Sequence, residues 1–279
     1  MGASEFIRYC GGSRSLAWLL VTTVGASLLL WCAGFVVSLF GGDAGAITGW
    51  LALSASPLTA LTRPWTLLTY IVAHLSPLHL LFNTLWLYWF GLMLADVSRD
   101  RSIAVLFLGG GVAGGLCYLL TAPLAGYSPM SVLTGDSAAV LSVMTGAACI
   151  MPQRRINLFL LGSVKLKWLV IVCGAITLIG ANGSGPAATA SHAAGILFGI
   201  CWALQHKGYL KHPAFRASAV TDPKKRKPGR ASMAAFRHGV PDEGRLDELL
   251  DKIRVSGYDS LSAREKTELQ YISSRIDKK

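Results

Sequence analysis

Apolar residues occur in long runs along the first two hundred residues of the chain, and more polar connections separate these runs. An α-helix needs about 20 apolar residues to cross the hydrocarbon core of a bilayer. Most of the runs are about that long, and the fifth is the shortest. The pattern therefore predicts six membrane-spanning helices, at about residues 16–40, 78–96, 102–122, 133–151, 167–182 and 187–205.

The connection between the first two spans is itself partly apolar. It contains the stretches WLALSAS and RPWTLLTYIVAH, which Pro57 and Pro64 interrupt. Because proline ends or kinks a helix, we expect short pieces that lie in the membrane interface or re-enter it. Trp and Tyr favour the depth of the lipid headgroups. We therefore expect Trp50, Trp65 and Tyr70 at that depth.

The composition agrees with a membrane protein. Hydrophobic residues make up 52% of the chain, and the mean hydropathy is +0.48. Only 15% of the residues are charged, whereas roughly 25% are charged in an average soluble domain.

The net charge of +11 does not indicate a nucleic-acid partner. Nine of the fifteen acidic residues lie between Asp242 and Asp277, so the positive charge dominates elsewhere. The densest basic run is KKRK at 224–227, just beyond the last apolar run. Such runs commonly contact anionic lipid headgroups or set membrane orientation. We therefore expect this basic tail to meet the lipid bilayer.

The six cysteines show no paired spacing, and five of them fall within apolar runs. Cysteine behaves as a small hydrophobic residue in such surroundings. We expect no disulfide framework, no metal site and no cofactor.

The distribution of Lys and Arg predicts the orientation of the spans, because cytoplasmic connections are enriched in both. The opposite connections, 123–132 and 183–186, carry neither, and the long first connection holds only Arg63. Both termini are therefore expected in the cytoplasm, on the side of the basic residues that flank the spans: Arg8, Arg14, Arg99, Arg101, Arg154, Arg155, Lys165 and Lys167.

The chain divides into three regions by composition. Residues 1–205 form the membrane domain, and residues 206–240 are basic with three prolines, which is typical of a flexible linker. Residues 241–279 are amphipathic again and predict a small cytoplasmic helical hairpin. The run LSARE at 261–265 resembles a capping box at the start of its second helix. The apolar face of its first helix comprises Leu246, Leu249, Leu250 and Ile253, and Ser256–Gly257 breaks that helix.

Polar residues at the head of the fourth span are the first candidates for chemistry. The stretch TGDSAAV places Ser137 only about 6 Å below residue 133, at 1.5 Å per residue. His192 in TASHAAG lies at a similar depth on the sixth span. Polar residues within a membrane are costly and therefore indicate function. A serine beside a histidine base is the minimum apparatus for nucleophilic attack on a carbonyl.

The second span supplies two further polar residues near the same level. His79 and Asn83 are four residues apart and share one helix face. Together with the Ser137 backbone N–H, they would donate hydrogen bonds to a developing oxyanion. Apart from Asp136 and Asp43, no carboxylate on the outer side is available to orient the histidine. A Ser–His dyad is therefore expected and not a triad.

These motifs together resemble those of the rhomboid family of intramembrane serine proteases. They are HxxxxHxxxN from His74 to Asn83, GxS from Gly135 to Ser137, and SHxxGxxxG in the sixth span. The likeness covers about residues 15–205 and includes RPWTLLTYIVAHLSPLHLLFNTLWLYWFG. The tail from 242 to 276 is similar to the helical extension of some bacterial rhomboids.

The resemblance implies an all-α membrane protein, a six-transmembrane-helix rhomboid bundle, in the cell inner membrane. It implies a serine endopeptidase that cleaves transmembrane protein substrates near the outer membrane face. The implied catalytic residues are Ser137 as nucleophile and His192 as base. The other implied residues are His79, Asn83 and the Ser137 amide in the oxyanion hole, with His74 and Gly135 in supporting positions.

The sequence departs from the family pattern beside the serine. The usual GxSGxxxG has Ala138 and Ser142 in place of its later glycines, and an aromatic position near the histidine is Leu141. Asp136 is unusual, because a carboxylate there would oppose negative charge on the oxyanion unless it points to water or is protonated. Asp136 is therefore either an outward-facing surface charge or a modulator of the site.

Two alternative functions compete with proteolysis. A rhomboid-like pseudoprotease would bind transmembrane segments without cleavage, but such proteins typically lack the serine or the histidine, and both are present here. A small transporter would require charged residues at the bilayer midplane and symmetry between its halves. The sequence shows neither feature.

Overall fold

The computed structural model describes residues 2–158, 162–179, 185–207, 243–256, 261–262 and 265–269. These residues form two compact units, one reaching residue 207 and one starting at residue 243. Apart from its first two residues, the linker predicted at 206–240 lies outside the described residues.

The first unit is mostly helical. Its helices are α1 (Ala3–Tyr9), α2 (Arg14–Leu39), α3 (Ala44–Leu51), α4 (Pro57–Thr62), α5 (Thr66–Thr69), α6 (Pro77–Val97), α7 (Asp100–Leu124), α8 (Ser137–Ile150), α9 (Leu166–Leu178) and α10 (Gly185–His206), with a 3-10 turn at Tyr70–Val72. Within the described ranges, α2, α6, α7 and α10 are long and apolar enough to cross a membrane. The chain is thus a helical membrane protein with four candidate spans.

The two remaining predicted spans are shorter than a bilayer core. Helix α8 has 14 residues and α9 has 13, or about 20 Å each at the rise of an α-helix, against about 30 Å of hydrocarbon. Helix α8 begins later than expected because a short strand and a left-handed glycine precede it.

Two short antiparallel sheets accompany the helices, and the fold remains that of an all-α membrane protein, as predicted. Strand β1 (Leu53–Ser54) pairs with β2 (Val132–Leu133), which joins the first connection to the segment before α8. Strand β3 (Arg155–Leu158) pairs with β4 (Gly162–Lys165) in a hairpin between α8 and α9. Strands of two to four residues are too short to show a period in the sequence.

Helix α8 lies at the centre of the bundle, packed against α7 and α10. All residues from Ala138 to Ala148 are buried. A Cβ at Gly195 of α10 would collide with the Ala138 carbonyl, and one at Gly110 of α7 would collide with the Ser142 side chain. Small residues on each helix thus face small residues on its neighbours, which allows close approach without a hydrophobic driving force.

The aromatic residues of the first connection differ in burial. Trp50 and Trp65 are stacked with ring centroids 6.0 Å apart, and the Arg63 guanidinium lies 4.4 Å from the Trp50 ring centroid. Both tryptophans are well exposed. Tyr70 is buried, and its hydroxyl donates a hydrogen bond to the Gly111 carbonyl at 2.6 Å. The side chain of Tyr70 thus packs into the bundle and does not face the lipid.

The second unit contains helix α11 (Glu243–Ser256), and residues 265–269 are helical as well. The break predicted at Ser256–Gly257 lies at the edge of the described residues, where the described part of α11 stops. Leu249 and Leu261 are buried together, with Ile253 and Leu269 packed against them. Leu250, which was expected on the same face, is 48% exposed.

The predicted capping box is confirmed at the start of the second helical segment. The Ser262 hydroxyl accepts a hydrogen bond from the Glu265 N–H at 3.3 Å, and Glu265 Oε2 accepts one from the Ser262 N–H at 2.7 Å. Glu265 Oε1 also pairs with Lys252 Nζ at 2.7 Å, which links this segment to α11.

Candidate active site

The segment that leads into α8 turns sharply at Gly135. This residue has φ +96°, a backbone conformation that residues with a Cβ rarely adopt. Its N–H donates to the Tyr70 carbonyl at 2.8 Å, and an added Cβ would lie 2.6 Å from the His79 ring. Both the backbone conformation and the space therefore require glycine. As a consequence, Ser137 is the first residue of α8.

Ser137 and His192 are in hydrogen-bond contact. Ser137 Oγ lies 2.7 Å from His192 Nε2, although the two residues are 55 positions apart in the chain. His192 is 6% exposed, on the face of α10 that packs against α8. Its Nδ1 atom is buried and has no hydrogen-bond partner within the described ranges. The described residues therefore contain a Ser–His pair without a third side chain to orient the imidazole.

The amide of Ser137 is one of the free donors at the start of α8. At this end of α8, the first described backbone hydrogen bond is donated by the Val140 N–H to the Asp136 carbonyl at 2.8 Å. The amides before Val140 have no acceptor inside the helix, because an α-helix pairs each N–H with the carbonyl four residues back. They give this end a partial positive charge. The nucleophile candidate thus lies beside donors suited to an oxyanion.

His79 and Asn83 lie on α6 and line the same cavity as Ser137 and His192. The cavity has a volume of about 680 Å³. Its remaining lining is mainly apolar, with a few hydroxyl groups, as is common in small-molecule and peptide sites. These residues are Leu78, Phe82, Trp86, Tyr118, Tyr127, Ser131, Val132, Leu133, Thr134, Val140, Leu141, Met144, Cys173, Thr177 and Ala188. The four predicted polar residues are thus brought together in one cavity.

His74 lies behind this cavity and is fully buried. Its Nε2 atom lies 2.9 Å from Asp136 Oδ1, and its Nδ1 atom lies 3.0 Å from Ser27 Oγ. The Ser27 hydroxyl in turn donates to the Val72 carbonyl at 2.9 Å. Ser27 was not singled out from the sequence, because a single serine in an apolar helix usually has only a packing role.

Asp136 is 1% exposed, so its interpretation as an outward-facing surface charge was wrong. The residue precedes α8 directly, and its side chain turns inward to meet His74. The same imidazole nitrogen lies 3.4 Å from Asn83 Nδ2. Asp136 therefore belongs to the polar network around the cavity.

The similarity of this chain to known proteins identifies its family. No curated protein matches the chain. The family model of the rhomboid domain matches residues 61–206, slightly more than half of the chain. The matched region runs from the end of α4 to the end of α10 and contains both Ser137 and His192. The chain therefore belongs to the rhomboid family.

Proposed function

We propose that this protein is an intramembrane serine endopeptidase that cleaves transmembrane proteins near the outer membrane face. Ser137 is the nucleophile and His192 is the general base. The contact of 2.7 Å between Ser137 Oγ and His192 Nε2 carries the proposal. A hydroxyl at this distance from an imidazole nitrogen can transfer its proton as it attacks a carbonyl.

The reaction follows from this contact. Ser137 Oγ attacks the carbonyl carbon of the scissile peptide while His192 Nε2 takes the hydroxyl proton. The protonated His192 then gives this proton to the leaving nitrogen, and the peptide C–N bond breaks to leave an acyl-enzyme. Water hydrolyses the ester with His192 again as base, which regenerates the serine hydroxyl.

The tetrahedral intermediate requires stabilisation of its oxyanion. The Ser137 N–H at the start of α8, together with His79 and Asn83 on α6, would donate to it. Support comes from their shared cavity and from the unpaired amides at the helix start. Donors aimed at developing charge in a site of low dielectric contribute most to such catalysis.

The substrates are helices that unwind locally. The backbone of a membrane helix is fully hydrogen-bonded and therefore shielded from attack. A client must expose one carbonyl to reach Ser137, so glycine, proline and other small or helix-breaking residues near the bond favour cleavage. The mainly apolar lining of the cavity is compatible with an unwound segment of an apolar helix.

We further propose six spans in the inner membrane, with both termini in the cytoplasm. The short helices α8 and α9 then complete the bundle, and the burial of α8 means that its ends need not reach the lipid surface. The segregation of Lys and Arg supports the orientation. In this arrangement the membrane domain spans 1–205, the basic linker 206–240 faces anionic headgroups of the cytoplasmic leaflet, and the hairpin 241–279 lies in the cytoplasm.

The alternative is a pseudoprotease that binds transmembrane segments without cleavage. A fluorophosphonate probe distinguishes the two, because it reacts only with an activated serine. Purified protein in detergent is expected to be labelled, and Ser137→Ala and His192→Ala to remain unlabelled. An unlabelled wild type that still binds transmembrane peptides would favour the pseudoprotease.

A further inference from the structure

A buried carboxyl group lies one residue before the proposed nucleophile and takes no part in the reaction described above. Asp136 Oδ1 and His74 Nε2 are 2.9 Å apart, and both side chains are 0% exposed. Asp136 Oδ2 is also buried and has no hydrogen-bond partner among the residues that the structure describes. An ionised carboxylate in such a position is costly unless its charge is compensated in place.

The hydrogen bonds around His74 determine where the protons lie. The Val72 carbonyl can only accept, so the single hydroxyl proton of Ser27 points to it at 2.9 Å. Ser27 Oγ, which is 3.0 Å from His74 Nδ1, must then accept the N–H of that nitrogen. One further proton fits between Nε2 and Asp136 Oδ1. It lies either on the nitrogen, as imidazolium and carboxylate, or on the oxygen, as imidazole and carboxylic acid.

Both arrangements contain the same protons and have a net charge of zero. Loss of one proton would require the Ser27 hydroxyl to turn to Nδ1, and the Val72 carbonyl would lose its donor. It would also leave one negative charge inside the protein, beside the Ser137 N–H that is proposed to donate a hydrogen bond to the oxyanion. The neutral pair is therefore the state in which the contacts of His74 with Ser27 and with Asp136 each hold one proton and the Val72 carbonyl keeps its donor.

We propose that His74 and Asp136 are a positioning pair that holds one proton between them and remains electrically neutral beside the oxyanion site. The inference rests on the proposed protease function. The pair resolves the conflict that the sequence raised, since a neutral Asp136 does not oppose developing negative charge. Its two members place Ser137 without contacting the substrate.

The pair also joins several elements of the bundle. His74 contacts Ser27 of α2, and its carbonyl accepts the Trp31 indole N–H at 2.6 Å. Asn83 of α6 lies 3.4 Å from the same imidazole nitrogen that meets Asp136. A test must therefore separate the effect of charge from the loss of a mechanical link.

Other titratable groups near the pair must be held constant in such a test. His79 of α6 has its ring centroid 5.2 Å from that of His74. Tyr70 faces Asp136 from the 3-10 turn, and His192 of α10 interacts with His79. His79 interacts electrostatically with both members of the pair and Tyr70 with Asp136, so the comparison that reports the carboxyl group is between His74→Ala and the double variant, which differ only at position 136.

The experiment compares the wild type, His74→Ala, Asp136→Asn and the double variant in cleaving a transmembrane reporter in liposomes. In His74→Ala the carboxyl group of Asp136 loses the partner with which it shares a proton. We expect kcat to fall on the order of a hundredfold, the size of an oxyanion effect, with KM little changed. In the double variant the charge is absent, and kcat is expected to recover on the order of tenfold over His74→Ala.

The recovery is expected because only His74→Ala keeps a carboxyl group at position 136 without its partner. A purely mechanical link predicts the opposite, since removal of a second contact adds to the loss. A double variant no faster than His74→Ala would overturn the proposal.

Thermal unfolding of the same four proteins in detergent provides a measurement that needs no activity. The double variant is expected to unfold at a higher temperature than His74→Ala, because it contains no unpaired carboxyl group. If His74→Ala does not fold, His74→Gln takes its place in both assays. A wild type that cleaves no reporter would refute the proposed function, whereas independent, additive unfolding effects would refute the pair.

Discussion

Ser137 Oγ lies 2.7 Å from His192 Nε2, and the helices that carry these residues meet where Gly195 packs against the Ala138 carbonyl. The contact between the two side chains thus depends on a backbone contact one residue beyond the serine and three beyond the histidine. The proposed chemistry therefore depends on the close packing of α8 against α10.

Substitution of Gly195 by alanine tests this dependence. The added Cβ would collide with the Ala138 carbonyl and push α10 away from α8. Such overpacking typically costs 1–3 kcal/mol of stability. Because the Ser137–His192 distance would increase, we expect reporter cleavage to fall by about tenfold or more.

Gly25→Ala is the matched control, because a Cβ at Gly25 of α2 would meet no atom within 4 Å. It should retain full activity and a slightly raised or unchanged melting temperature. If Gly195→Ala cleaved as fast as Gly25→Ala, the close contact between α8 and α10 would be unnecessary for the site.

Replacement of Asn83 by alanine tests the oxyanion hole. Loss of one donor among several is expected to lower kcat by about tenfold to a thousandfold, with little effect on KM. Thr84→Ala serves as the control at the neighbouring position, because the Thr84 hydroxyl is buried without a hydrogen-bond partner in the part of the chain described. Steady-state kinetics with one reporter would compare the two variants. Equal kcat values would show that Asn83 does not contribute to the oxyanion hole.

The hairpin of the second unit should lose stability in acid. The hydrogen bond from Lys252, followed by that from the Ser262 N–H, lowers the pKa of Glu265 to about 2. A carboxyl group with a lowered folded-state pKa contributes stability above its unfolded value of about 4.3, and this is lost as the pH falls towards the folded value. We therefore expect amide exchange at Ser262 and Glu265 to accelerate between about pH 4.3 and pH 2.

Glu265→Gln is the control for this measurement in the full-length protein. Comparison at each pH removes the intrinsic dependence of the exchange rate. The variant should exchange faster than the wild type near neutral pH and equally fast at the acid end. A constant ratio between the two across this range would show that the carboxylate does not stabilise the capping box.

The proposed orientation predicts that external protease spares a tag at the C-terminus. Cytoplasmic termini follow from the basic residues that flank the spans. Protease added to intact spheroplasts should leave the tag in place, and the same protease should remove it after lysis. Removal from intact spheroplasts would contradict the orientation and the depth inferred for Ser137.

The sequence predicted the elements that have strong periodic or compositional signals. The four long helices could be anticipated from the length of their apolar runs. The juxtaposition of Ser137 with His192 could be anticipated because the span boundaries place both residues at a similar depth. The capping box at Ser262 could be predicted because its residues are close together in the chain. Local spacing therefore accounts for much of the fold and for the position of both proposed catalytic residues.

Contacts between distant segments could not be predicted in this way. Nothing in the spacing indicated that Asp136 faces His74, or that Ser27 of α2 completes their network. The burial of Tyr70 was not predicted, because an aromatic residue exposed near the interface and one inserted beside Gly111 have the same sequence signal. The two small sheets were missed because pairing between two-residue strands depends on the tertiary fold.

Cleavage of a transmembrane reporter by purified protein in liposomes tests the central claim most directly. The comparison includes wild type, Ser137→Ala, His192→Ala, their double variant and Ser142→Ala, whose buried hydroxyl lacks a hydrogen-bond partner within the described residues. We predict cleavage by wild type and Ser142→Ala. We also predict its loss in both single variants, with no further loss in the double variant because the two residues act as a unit. Undiminished cleavage by Ser137→Ala would contradict the account.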